Sequence, residues 1–220
     1  MLSNCNRQIY LFPKFVDDYS DEPLTQAQLE LKNFWERPKS TTEKGALYER
    51  YIGYLYEEAG YHVEYAGIKR GRKDNGRDLI CRVGRNVYIV QCKHWDYDNI
   101  IYAKHIHQLR GSVEDYGKQY IHRKVHGVFF TTSRIAPDAK VISKRIGIEL
   151  HEKFSFCESF PVVKCKFSER KYYLPDDWGY DQVELNLRAG DCYCITVTDA
   201  ENKGFEWAFK YLYKTRAKKH

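Results

Sequence analysis

A run of thirteen residues, Asp78-Leu79-Ile80-Cys81-Arg82-Val83-Gly84-Arg85-Asn86-Val87-Tyr88-Ile89-Val90, leads straight into Gln91-Cys92-Lys93 and constrains the fold more than any other stretch. Its two halves read as strands. Gly84-Arg85 between them suits a two-residue hairpin loop with Gly at the first position of a type II′ turn. That loop pairs Val83 with Asn86 and therefore Asp78 with Gln91. Side chains alternate faces along a strand, so this register gathers Asp78, Gln91 and Lys93 on one face. The opposite parity would set Asp78 across from Cys92, on the wrong face.

A carboxylate, a second oxygen ligand and a lysine on one sheet face can hold Mg²⁺ and orient a water against a phosphodiester. Asp78 is read as the anchoring ligand. Gln91 supplies a neutral side-chain oxygen, and the backbone carbonyl of Cys92 another. Lys93 polarises or deprotonates the attacking water, or steadies phosphoryl charge in the transition state. Taken singly, each also has an ordinary reading: Asp78 as a turn-adjacent residue bonding the Gly76-Arg77 backbone, Gln91 and Lys93 as exposed strand polarity. The joint arrangement carries the argument.

The elements around the hairpin indicate an α/β domain with a mixed sheet. A helix is expected over Ala46 to Ala59, closed by Gly60, with Tyr48, Tyr51, Ile52, Leu55 and Ala59 on its apolar face. Glu49 lies on the border of that face. It can reach over the core's edge to add a direct or water-mediated contact to the metal, or stay a solvated helix residue. Tyr61 to Tyr65 reads as a strand and Ala66 to Gly76 as a basic, Gly-rich loop. Ile101, His105, Leu109, Val113 and Tyr116 fall at helical spacing within Ile100–Tyr120. Val125 to Thr131 reads as a strand buried on both faces. Pro137 opens a further helix, and Ile148 to His151 closes the sheet.

Charge is unevenly placed. The chain of 220 residues carries a net +6, but Ile68 to Arg145 holds 17 Lys and Arg against 7 Asp and Glu. A basic excess centred on the hairpin fits a polyanion partner such as DNA, as it would also fit a solvated basic surface. Lys69, Arg70, Arg72, Lys73, Arg77 and His94 are the candidate DNA contacts. No apolar run approaches the roughly 20 residues that span a bilayer, so no membrane association is expected. Seven scattered cysteines, an odd number, favour a reduced, cytoplasmic protein over a disulfide framework.

Four ordered blocks resemble a known family. They are Gly45-Ala46-Leu47-Tyr48-Glu49, Gly60-Tyr61-His62-Val63, Asp74-Asn75-Gly76-Arg77-Asp78-Leu79-Ile80 and Val90-Gln91-Cys92-Lys93-His94-Trp95. Leu109-Arg110-Gly111 and Gly127 to Thr132 continue the match. Together they resemble the Mrr-type restriction endonucleases of the PD-(D/E)xK nuclease superfamily, in the branch with Gln at the second acidic position. Arg77 stands where the family usually has a small residue. The resemblance implies a restriction-endonuclease-like α/β core, a mixed central sheet flanked by helices, over residues 44–153. It implies Mg²⁺-dependent cleavage of DNA, Mn²⁺ substituting, with Glu49, Asp78, Gln91 and Lys93 as the site. A catalytically inactive DNA-binding protein on the same fold, a nuclease for branched DNA and an RNA nuclease are the alternatives. Double-stranded DNA is the expected substrate, and cutting both strands calls for a homodimer.

Residues 1–43 read as an N-terminal helical extension, and residues 154–220 as a small C-terminal α+β domain that contacts DNA or a partner. Its strands are expected at Val162–Phe167, Lys171–Leu174, Val183–Leu187 and Cys192–Val197, with a last helix from about Asp199. Lys171-Tyr172-Tyr173-Leu174-Pro175 and Ala200 to Phe205 are similar to an Ada-type metal-binding domain. The zinc-bearing members hold the metal with two close pairs of cysteines. Here Cys165 has no near partner in sequence, Cys192-x-Cys194 sits on a strand, and Cys157 is a distant fourth. Structural zinc wants four ligands, so zinc is not expected and the module reads as degenerate.

Overall fold

The computed structural model describes residues 23–70 and 76–209, with the backbone alone at 69 and 70. Its contacts divide it into two units. Lys39–Cys157 form the first. The second joins the residues up to Pro38 with those from Glu158 onward, so helix α1 (Gln26–Glu36), set apart by the sequence as an extension, belongs with the C-terminal residues.

The first unit opens with α2 (Thr41–Glu58). The Ser40 hydroxyl accepts from the Glu43 N–H, and the Glu43 carboxylate accepts from the Ser40 N–H at 2.9 Å. This reciprocal cap starts the helix five residues before the expected Ala46. The buried stripe is Tyr48, Ile52 and Tyr56, flanked by Leu47, Gly53 and Glu57. It is rotated from the expected face, and Ala59 is exposed. Gly53 lies under Tyr65, whose ring would sit 2.5 Å from any Cβ there. The Tyr65 hydroxyl donates to buried Glu57 at 3.0 Å. Gly60 ends the helix at φ +83°, in the left-handed conformation glycine allows.

Strands β1 (His62–Tyr65), β2 (Leu79–Val83) and β3 (Asn86–Lys93) follow, with a short helix α3 (Ala66–Arg70) after β1. The sequence reads this segment as loop; its first five residues are helical. Arg72, Lys73 and Asp74 lie outside the described residues. Next come β4 (Ile100–Ile101), α4 (Ala103–Gln119), β5 (Lys124–Thr131), β6 (Arg134–Ile135), α5 (Pro137–Ile146) and β7 (Ile148–His151). Ile100 and Ile101, expected at the start of a helix, pair instead with Arg134 and Ile135 in a two-stranded parallel ladder.

The main sheet has the order β1-β2-β3-β5-β7. The β1–β2 and β2–β3 pairs are antiparallel; β3–β5 and β5–β7 are parallel. This is the expected mixed sheet. One face packs Ile80, Val87, Ile89 and Phe129 against Ile106, Leu109 and Val113 of α4 and Ala139 of α5. Each of the Ile, Val, Leu and Phe side chains contributes about 1.5–3 kcal/mol on burial. Gly127 lets the layers close, since a Cβ there would meet Ile148 at 2.4 Å and Val113 at 2.9 Å. The other face lies under α2, where the Tyr56 ring meets those of Tyr88 and Phe130. Among the described residues no helix is long and apolar enough to cross a membrane.

The second unit is a four-stranded sheet of order β10-β8-β9-β11, from β8 (Val163–Lys166), β9 (Lys171–Tyr173), β10 (Cys192–Cys194) and β11 (Glu206–Trp207). Helix α6 (Val197–Asn202) is capped by Thr196. Helix α1 joins it through a 3.0 Å hydrogen bond from Gln28 to Thr198, while Arg37 pairs with Asp176 at 3.1 Å. The expected strand Val183–Leu187 does not form. Its carbonyls at Val183 and Glu184 accept instead from the ammonium groups of Lys164 and Lys166, at 3.0 and 2.8 Å. The Asn186 N–H donates to the Asp191 carboxylate at 2.8 Å. Side chains thereby satisfy polar backbone groups that a ladder would otherwise take.

Candidate active site

The hairpin register decides whether the polar residues meet. Val83 pairs with Asn86 and Leu79 with Val90, the expected register up to the residue next to Asp78. Gly84 takes φ +56°, as the first position of the expected turn requires. At Asp78 the backbone leaves the regular ladder but stays bonded to both neighbours. The Asp78 N–H donates to the Val90 carbonyl at 3.0 Å, and the Asp78 carbonyl accepts from the Gly67 N–H at 2.9 Å. Asp78 is thus held by its backbone from both sides.

Its side chain is oriented as firmly. Oδ2 accepts from the backbone N–H of Cys92 at 2.6 Å. In an antiparallel pair one residue directs its N–H and C=O to the same neighbour, so the Cys92 carbonyl is offered on this side too. Asp78 is 7% exposed and Gln91 2%. Gln91 Oε1 is buried with no hydrogen-bond partner among the described residues. A buried amide oxygen left so costs about 1–3 kcal/mol.

Glu49 arrives from α2. The connection is made at Gly67, where a Cβ would lie 3.1 Å from Asp78 Oδ1 and 3.1 Å from Glu49 Oε2. Two carboxylate oxygens therefore flank the space a side chain would fill. Burial, then the charges of Asp78 and Glu49, push the Cys92 thiol well up and keep it protonated. Gly76 does for Gln91 what Gly67 does for the acids. At φ +73° it leaves room for the amides of Gln91 and Gln108, which would lie 3.2 and 3.0 Å from a Cβ.

Lys93 ends β3 on the same face as Gln91. The Thr131 hydroxyl and the Thr132 N–H both donate to the Lys93 carbonyl, at 3.0 and 3.2 Å. The Trp95 N–H donates to the Thr132 hydroxyl, which donates to the Trp95 carbonyl at 2.7 Å. The lysine backbone is thereby fastened to the end of β5. Its ammonium lies 5.9 Å from the Trp95 ring centroid. His105 meets the other side of that region, edge-on to Trp95. Burial and the charges of Lys104 and Lys93 lower its pKa, leaving a neutral imidazole at pH 7.

The structure brings Asp78, Glu49, Gln91, Cys92 and Lys93 to one end of the hairpin. Of the candidate DNA contacts, Arg77 is half-buried beside Asp78. Lys69 and Arg70 are placed by backbone in α3, and Arg72 and Lys73 fall outside the described residues. The His94 ring packs against Tyr48 and Phe156, at 5.5 Å from each, on the α2 side of the sheet. Sequence reasoning missed Gly67, Gly76 and Gln108. Nothing in their spacing marks them, because their role is the volume they leave or reach into across the fold.

The Mrr catalytic-domain family, described as restriction endonuclease, matches residues 42–160. The chain belongs to this family. The Mrr-type domain therefore spans the first unit and the site within it. No curated protein matches the chain. Among solved structures, the MspJI restriction endonuclease in complex with a 27-mer oligonucleotide is similar at 15% identity and a TM-score of 0.39, over 60% of this chain and 31% of that one. The EndoMS complex with double-stranded DNA is similar at 18% identity and 0.36, over 62% and 48%. A repair endonuclease from Pyrococcus abyssi is similar at 15% and 0.37, over 53% and 48%. Each match takes in less than two-thirds of the other protein's length.

The Mrr-type site offers oxygen donors: two carboxylates around the Gly67 space and the orphaned amide oxygen of Gln91. Such hard donors fit Mg²⁺ or Mn²⁺ and not a soft ion.

Proposed function

We propose that the Mrr-type domain is a Mg²⁺-dependent endonuclease that hydrolyses phosphodiester bonds in double-stranded DNA, Mn²⁺ substituting. The observation that carries this reading is the convergence of Asp78 and Glu49 on the Gly67 space, with orphaned Gln91 and then Lys93 next along the same strand face. Asp78, Glu49, Gln91 Oε1 and the Cys92 carbonyl would hold the ion. When bound, Mg²⁺ polarises the phosphoryl oxygen and lowers the pKa of water in its shell.

The chain's own residues do the rest. The Cys92 N–H fixes the Asp78 carboxylate before any ion arrives, so little reorganisation accompanies binding. Lys93 presents its ammonium to the scissile phosphate and stabilises the charge that grows on its oxygens as water attacks phosphorus and the sugar oxygen departs. The fastening of its backbone to Thr131 and Thr132 limits how far that ammonium wanders. The basic excess from Ile68 to Arg145 would bring the duplex in by its phosphates. A role in restriction or DNA processing, a cytoplasmic setting and a homodimer that cuts both strands complete the proposal. Cys81, Cys92, Cys165, Cys192 and Cys194 are free thiols, which supports a reducing compartment. The second unit is read as a degenerate Ada-type module that contacts DNA or a partner.

The test is cleavage of supercoiled plasmid with Mg²⁺ by the full chain beside Lys93→Ala and Asp78→Asn. Nicking or linearisation by the wild type alone is expected. If all three leave plasmid, linear, branched and methylated DNA intact yet bind it, the domain is a DNA-binding protein on a nuclease fold. Cleavage of RNA alone would change the substrate and keep the site.

A further inference from the structure

The second unit gathers three thiols that the site above does not use. Cys165 lies on β8 and Cys192 and Cys194 on β10, paired antiparallel with Cys165 opposite Cys192. Alternation along β10 sends Cys192 and Cys194 to the same face. The three sulfurs lie within 4.8 Å of one another, and Cys165 Sγ is 3.6 Å from Cys194 Sγ. Sequence spacing hides this group, because strand pairing rather than a short loop brings Cys165 in.

A cation stands beside the group. Lys203, on the turn after α6, donates to Cys194 Sγ at 3.5 Å and to Asp199 at 3.0 Å. Thiolate is the metal-binding form. Cys165 and Cys194 are buried, while Cys192 is half-exposed. A small ion has a way in past Cys192, and its other ligands are shielded from bulk oxidants.

We propose that Cys165, Cys192 and Cys194 form a three-thiolate site for a soft d¹⁰ cation, Cu(I) being the ion whose coordination three sulfurs complete. Soft thiolate donors select Cu(I) and Zn²⁺ over the hard cations of the Mrr-type site. Structural zinc takes four ligands in tetrahedral array. Among the described residues only three Cys or His ligands converge here. The arrangement also differs from the two close cysteine pairs that the Ada-type resemblance implies. Binding releases the protons of whichever thiols are still protonated, with no change in the oxidation state of sulfur or copper. Lys203 offsets part of the resulting negative charge.

The experiment titrates the full reduced chain anaerobically with Cu(I) against a chromophoric Cu(I) chelator, following the ultraviolet thiolate-to-copper band and the metal-to-protein ratio. One equivalent is expected at this site. It should be retained in Cys157→Ser and weakened in Cys192→Ser by more than the ~10-fold that loss of an outer partner costs. Cys192 is half-exposed, so Cys192→Ser should keep the wild-type circular dichroism. Cys194→Ser should behave alike. Equal Cu(I) affinity in wild type and Cys192→Ser overturns the proposal, as does no uptake by the folded wild type. Zn²⁺ displacing Cu(I) at equimolar concentration overturns the three-coordinate assignment in favour of a four-ligand site.

Discussion

Asp78 Oδ2 accepts a 2.6 Å hydrogen bond from the backbone N–H of Cys92. That bond spans the two strands of the hairpin and lands between Gln91 and Lys93. It sets the carboxylate's direction through protein groups alone, which separates the shape of the site from its charge. Asp78→Asn keeps an oxygen for the Cys92 N–H while removing the charge. It should fold normally and bind DNA, while single-turnover cleavage with Mg²⁺ falls by about 10²–10³ or more, the scale of losing one preorganised electrostatic group. Lys93→Ala should fall as far. A variant that cleaves within threefold of wild type would remove that residue from the mechanism.

Gln91 sets stability against activity. Its buried Oε1 has no partner among the described residues, which costs the ion-free protein. Gln91→Leu should therefore raise the melting temperature in EDTA, by up to the ~1–3 kcal/mol assigned to an unsatisfied buried group. It should also abolish Mg²⁺-dependent cleavage. A lower melting temperature in EDTA would show that the amide is satisfied in the ion-free protein.

Gly67→Ala probes the space between the acids. A methyl group there meets Asp78 Oδ1 and Glu49 Oε2 at 3.1 Å, and the Asp78 Cα at 3.0 Å. The carboxylates must part or the helix α3 must shift. Cleavage should drop by at least tenfold, with the Mg²⁺ concentration for half-maximal rate rising and overall stability changing by about 1–3 kcal/mol, as overpacking does. Unchanged metal dependence would detach the Gly67 space from ion binding.

Asp177 gives the second unit a pH signature. Burial pushes its carboxyl up to about 6, against the hydrogen bonds it accepts from the Leu174 N–H and the Trp207 indole. The folded state then holds a proton the unfolded chain has released. This contribution is fully present below the ordinary carboxylate value of 3.8 and is lost as pH rises through about 6. Asp177→Asn should flatten that part of the stability curve, by roughly 3 kcal/mol for a shift of this size. Denaturant midpoints at pH 4, 5, 6 and 7 measure it. An equal slope in both proteins would place the titration elsewhere.

Much of the site is legible in the sequence because a strand's period fixes it. Once Gly84-Arg85 is taken as a two-residue loop, Asp78, Gln91 and Lys93 are expected on one face, and the structure has that register from Val83–Asn86 to Leu79–Val90. The α2 boundary fails for a local reason. Ser40 and Thr42 are both acceptable caps, and only the reciprocal bond with Glu43 selects Ser40. The missing strand at Val183–Leu187 fails for a distant one. Lys164 and Lys166 reach its carbonyls from β8, and no pattern within the five residues reports it. The cysteine cluster is of the same kind, since a pairing 27 residues apart in the chain, Cys165 with Cys192, creates it.

Helix α1 has a consequence for how the molecule is made. The Mrr-type unit is one uninterrupted stretch, Lys39–Cys157, whereas its companion is assembled from segments on both sides of that stretch. On the ribosome the nuclease fold can close as soon as its own last strand emerges. Helix α1 is synthesised first, yet buries Ala27, Leu31 and Phe34 only after α6 appears, nearly the full length of the chain later. An early helix waiting with an uncovered apolar stripe is the segment a chaperone would meet, and the three-thiol sheet forms after the nuclease fold has closed.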